Sequence, residues 1–87
     1  MNNKQRQTLK AIFALAIRAD IKWINIESLF KALGAEDSQG RGSRIRVSLN
    51  GVKAVFHEPH PEKETNRGAV KSVREFLENA EIKPEDY

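Results

Sequence analysis

Asn50-Gly51 stands between two stretches in which apolar and polar residues alternate, and this pattern commits the middle of the 87-residue chain to a β-hairpin. Both residues accept the positive φ angles of a two-residue type I′ turn, whose twist matches that of antiparallel strands. With these two as the loop, Leu49 faces Val52, Val47 faces Ala54 and Ile45 faces Phe56 on one side of the ladder. Ser48/Lys53, Arg46/Val55 and Arg44/His57 then pair on the opposite side. One face is core, and the other shows Arg44, Arg46, Lys53 and His57. From Gly40 to His57 there are four Lys or Arg and no Asp or Glu, so nothing within the span neutralises that face. An anionic partner is the natural inference.

The net charge of +3 matters less than its distribution. Residues 1–39 carry six basic and four acidic groups, residues 40–57 four and none, and residues 58–87 five and eight. A polyanion would be gripped in the middle third. A chain of this length makes one domain, with a core large enough to fold but too small for a deep, enclosed cavity. The absence of cysteine removes disulfides and thiolate metal sites, and two histidines argue against a metal centre, so no metal and no small-molecule cofactor are expected. Lys4, Arg6 and Lys10 interrupt the first seventeen residues, leaving no run suited to a signal peptide or membrane span. A cytoplasmic location without membrane contact is expected.

Leu9, Ile12, Phe13, Ala16 and Ile17 recur at helical spacing and predict an amphipathic helix over residues 4–17. Ile21 to Ile24 reads as a connector that buries Trp23. Asn25 is the expected N-cap of a second helix that turns Ile26, Leu29, Phe30 and Leu33 inward and ends with Gly34 at C′. Ala35 to Gln39 suggests a short edge strand, and Gly40-Arg41-Gly42-Ser43 a turn into the hairpin. The prolines at 59 and 61 lack amide donors and end the last strand near His57. Thr65 or Asn66 is placed to cap a third helix with Val70, Val73, Phe76, Leu77 and Ala80 as its apolar arc, stopped by Pro84. The expected architecture is α+β, a two-layer sandwich with both flanking helices on the buried side of an antiparallel sheet and the cationic side open.

The portion from Trp23 to Ile82 resembles the HicA family of bacterial toxins. The resemblance lies in Leu33-Gly34-Ala35, the Gly42-Ser43 pair opening a strand, Pro59-His60-Pro61 after the next, the helical run Gly68 to Val73, and Ala80-Glu81-Ile82. It implies a double-stranded-RNA-binding-domain-like α-β-β-β-α core over residues 21–83, with residues 1–20 as a helical extension and 84–87 as a tail. It also implies cleavage of mRNA that arrests translation, and restraint by a HicB-like antitoxin. One position departs from the family: the catalytic histidine that follows Gly-Ser is here Arg44. A guanidinium stays protonated and cannot act as a base. Either this chain does not cleave RNA and is an RNA-binding or antitoxin-docking module, or the imidazole has moved.

The register puts His57 directly across from Arg44, so the base can have changed strands. Metal-free RNA cleavage needs a group that takes the 2′-hydroxyl proton, one that protonates the leaving 5′-oxygen, and cations for the charge that builds on phosphorus. Histidine, with an ordinary pKa of about 6.5, suits both transfers. The expected catalytic set is His57, Arg44 as a bidentate phosphate ligand, and His60, whose place between two prolines equally suits a turn-fixing role. The expected RNA-binding set is Arg41, Ser43, Arg46 and Lys53, with Arg67 and Lys71 at the start of the third helix, where free amides and the helix dipole favour phosphate. Arg74 follows on the same helical stripe.

Overall fold

A computed structural model describes residues 1–59 and 63–87. The first helix, α1 (Asn3–Ile12), opens with a reciprocal cap: Asn2 Oδ1 accepts from the Gln5 amide at 2.8 Å, and Gln5 Oε1 accepts from the Asn2 amide at 2.9 Å. It ends at Ile12, five residues before the periodicity does. The physical reason is distant in sequence. The Arg74 guanidinium donates to Ile12 O at 2.7 Å and to Ala14 O, taking carbonyls that further helical turns would have used.

A two-residue strand, β1 (Ile21–Lys22), leads into α2 (Trp23–Ala32). This helix starts before the expected Asn25 cap. Lys22 is the N-cap and makes no side-chain cap bond, while the Trp23 amide donates to Lys63 O at 3.2 Å. The C-terminal end matches the sequence reading, with Leu33 as C-cap and Gly34 at φ +85°, a conformation that a side chain disfavours.

Three antiparallel strands follow in spatial order β2 (Glu36–Gln39), β3 (Arg44–Leu49) and β4 (Val52–His57). The β3–β4 register is the expected one at every rung, from Leu49↔Val52 to Arg44↔His57, around Asn50 at φ +51° and Gly51 at φ +81°. Asn50 Nδ2 also donates to Ala80 O at 2.9 Å, tying the hairpin tip to the end of the last helix. A further two-residue strand, β5 (Glu64–Thr65), pairs with β1 through Ile21↔Thr65 and Lys22↔Glu64. Neither of these short strands is long enough to show a period.

The last helix, α3 (Arg67–Asn79), is capped by Asn66, whose Oδ1 accepts from the Ala69 amide at 2.8 Å. It stops at Ala80, with Glu81 at φ +62°, ahead of the expected Pro84 stop. Pro84 instead opens a single 3-10 turn, Pro84–Asp86. The result is an α+β two-layer fold with α-β-β-β-α order after an added N-terminal helix.

One cluster of apolar side chains joins the layers. Phe56 on the inner face of β4 meets Trp23 and Phe30 of α2 and Phe76 of α3, with ring centroids 6.0, 5.8 and 5.7 Å away. Truncating a buried phenylalanine so placed costs about 3–5 kcal/mol. Leu9 and Ile12 of α1 enter the same cluster, so the extension is part of the core. Gln5 Nε2 reinforces this with a 2.9 Å bond to Ser28 Oγ.

Candidate active site

Packing of α2 and α3 on one face of the sheet leaves the other to solvent. Ile45, Val47, Leu49 and Phe56 are buried, whereas Arg44, Arg46, Lys53, Val55 and His57 are exposed, as alternation requires. Val55 is 59% exposed, an apolar residue among cations.

Arg44 and His57 are Cα partners at the open end of the β3–β4 ladder. The turn before β3 completes this end. Gly42 takes φ +66°, the Gly40 amide donates to Arg44 O at 2.8 Å, and the Glu58 amide donates to Ser43 O at 2.6 Å, which carries the ladder one step past Arg44. Ser43 is thereby held beside His57, with Oγ 3.1 Å from Nε2. No described residue engages the other ring nitrogen, Nδ1. Ser43 was expected from sequence as an RNA ligand, and its neighbour in the fold is the imidazole. A turn residue lies outside the rungs that pairing logic can assign.

The remaining expected site residues divide into two groups. Arg46 and Lys53 line a groove of about 520 Å³ on the open sheet face, together with Ser48 and Val55. The β2 register, Glu36↔Ser48 and Ser38↔Arg46, adds Glu36 and Ser38 to the same groove. Asp37 lines the groove as well, so two acids from outside the Gly40–His57 span join the cationic face. Among the described residues the one ion pair is Arg18–Asp20 at 2.5 Å, in the loop after α1, where the guanidinium lowers the Asp20 carboxyl. Arg44, Arg46 and Lys53 have no carboxylate partner among those residues.

Arg41 is exposed in the turn, and Arg67 and Lys71 are exposed on the first turns of α3. Across a cleft of about 300 Å³ from His57, α3 presents Asn66, Gly68, Ala69 and Ser72 rather than either cation. Arg74, on the same helical stripe as Arg67 and Lys71, differs from them in that its guanidinium donates to the Ile12 and Ala14 carbonyls beside α1. His60 lies outside the described residues.

Two carboxyls beneath this end of the sheet were not singled out by sequence. Glu58 follows His57 and points to the opposite face, where its Oε2 accepts from Gln39 Nε2 at 3.5 Å. Glu27 of α2 is its neighbour. Burial, and then the adjoining Glu58, raise the Glu27 carboxyl above its ordinary value of 4.5, against a smaller pull downward from the Trp23 indole. No group of three or more His, Cys, Asp or Glu among the described residues is arranged to hold a metal ion. No helix among them is long and apolar enough to cross a membrane.

The open end of the ladder thus brings an imidazole, a hydroxyl and a guanidinium together on a solvent-facing, cation-lined surface. Comparison with known proteins points the same way. The family model described as HicA toxin of bacterial toxin-antitoxin matches residues 23–82. The chain is 40% identical over 53 residues to the protein named Probable mRNA interferase HicA of Pseudomonas fluorescens (strain Pf0-1), a match that covers 61% of this chain and 87% of that protein. No solved structure matches.

Proposed function

Because this chain belongs to the HicA toxin family, we propose that it is the toxin of a toxin-antitoxin pair and an endoribonuclease that cuts mRNA and thereby inhibits translation. The observation that carries the reading is the Arg44↔His57 rung, with Ser43 Oγ 3.1 Å from His57 Nε2. The relative's name, mRNA interferase, supports the substrate class.

With Nε2–H donating to Ser43 Oγ, Nδ1 carries the free lone pair and is the nitrogen that takes a proton. It removes the proton of a ribose 2′-hydroxyl, whose oxygen attacks the adjacent phosphorus. The bond from phosphorus to the 5′-oxygen breaks and a 2′,3′-cyclic phosphate forms. The leaving oxygen receives a proton from the imidazolium just formed, or from His60, the candidate second acid. Arg44 holds the scissile phosphate through parallel N–H donors and offsets the charge that develops there. Arg46 and Lys53 bind flanking phosphates along the groove, with Arg41, Arg67 and Lys71 as outlying contacts. No step requires a metal or a small-molecule cofactor.

A HicB-like antitoxin is the proposed protein partner, with the cation-lined open face as its docking surface. The substitution of Arg44 for the family's histidine favours one second reading, an RNA-binding module without turnover. Incubation of purified protein with end-labelled mRNA separates the two. The nuclease yields fragments ending in 2′,3′-cyclic phosphate in the presence of EDTA, whereas stoichiometric gel shifts without fragments contradict nuclease activity.

A further inference from the structure

The cleft between the end of β4 and the first turns of α3 has features that the phosphate chemistry does not use. It opens beside His57 and is lined by the apolar residues Trp23, Val55, Phe56 and Pro59. Small residues on α3, Gly68, Ala69 and Ser72, leave it unfilled. Thr65 lines it as well, and this residue is 1% exposed. Its Oγ1 is buried and has no hydrogen-bond partner among the described residues. Leaving a buried hydroxyl unpaired costs about 1–3 kcal/mol, so a native structure that retains one calls for a ligand or a reason.

The lining decides what kind of ligand fits. Among the described residues no Lys or Arg lines the cleft, and Glu64 does, so an anion is disfavoured there. A flat, largely apolar group with hydrogen-bonding edges is favoured by the lining and by the Thr65 hydroxyl. We propose that this cleft is a nucleobase pocket, in which Thr65 Oγ1 hydrogen-bonds the edge of the base attached to the nucleotide at the cut. The proposal extends the nuclease reading in one respect, by placing that nucleotide's phosphate at Arg44 and His57. It makes the sequence preference of cleavage a property of Thr65 and of the small residues opposite it.

Trp23 is the sole tryptophan and lines the cleft, so its indole N–H resonance is a unique reporter. The test titrates each of the four nucleoside 3′-monophosphates, ribose 5-phosphate and inorganic phosphate into the full chain. The pocket predicts that at least one base shifts the indole resonance saturably, while the two base-free phosphates do not. Thr65→Val removes the unpaired hydroxyl while keeping the branched shape, so it should raise the melting temperature yet weaken that nucleotide about tenfold, one hydrogen bond's worth. Ala69→Leu fills the cleft from α3 and should abolish the shift independently. Equal shifts from inorganic phosphate, or unchanged affinity in both variants, overturn the pocket. If RNA is still cut but no nucleotide moves the indole, the pocket fails and the nuclease stands. If a nucleotide binds as described but RNA is never cut, the nuclease fails and the pocket stands.

Discussion

Ser43 Oγ lies 3.1 Å from His57 Nε2, a contact made between a turn and the strand end fourteen residues later. It fixes the imidazole that faces Arg44 across the β3–β4 ladder. Ser43→Ala should lower the cleavage rate about fivefold to tenfold through lost orientation, the worth of one hydrogen bond. The decrease should fall on kcat, with KM nearly unchanged. Steady-state kinetics on a short RNA measure this, and an effect confined to KM would make Ser43 a phosphate ligand instead.

The groove cations make a separate prediction. Each phosphate contact on a single strand contributes a slope of about −0.7 in log affinity against log salt. Removing Arg46 and Lys53 together should flatten that slope by about 1.4. Gel-shift titrations with the His57→Ala protein at several salt concentrations read it directly. An unchanged slope would place the RNA elsewhere than the open sheet face.

Arg74 tests how the N-terminal extension is held. Its guanidinium serves two α1 carbonyls, so Arg74→Ala should cost about 1–3 kcal/mol in urea unfolding while leaving cleavage intact. Loss of cleavage at full stability would instead assign Arg74 to the RNA interface with Arg67 and Lys71.

These residues also explain what was legible in the sequence. The hairpin was readable to the single rung because Asn50-Gly51 fixes the turn and every inward position from Ile45 to Phe56 is apolar. The Arg44/His57 juxtaposition follows from that register alone. The end of α1 was not readable, because apolar spacing continues to Ile17 and the termination comes from a side chain sixty-two residues away in sequence. The start of α2 was hidden for a similar reason: a backbone bond to Lys63, rather than the Asn25 side chain, sets it. In α3 a left-handed Glu81 ends the helix before Pro84 can. Burial of Trp23 was evident from its flanking isoleucines, but the Glu27–Glu58 pair and the unpartnered Thr65 hydroxyl arise only when β4, β5 and α2 come together.

The Glu27 carboxyl gives a pH prediction with a definite sign. Its folded value is raised by burial and by Glu58, so the native state binds this proton more tightly than the unfolded chain. Stability from this group therefore falls as pH rises from its ordinary value of 4.5 through the raised one, and the penalty persists at neutral pH. Glu27→Gln should raise the melting temperature at pH 7 and remove this dependence. A lower melting temperature at pH 7 would mean that the ionised carboxylate is stabilising.

The most direct test is single-turnover cleavage of a labelled RNA by the folded His57→Ala protein, compared with the unaltered chain at equal RNA occupancy. General acid-base catalysis by a positioned imidazole contributes about 10²–10⁴-fold. A loss of that size with RNA affinity retained is the predicted result. Cleavage at the unaltered rate would contradict the assignment of the base to His57.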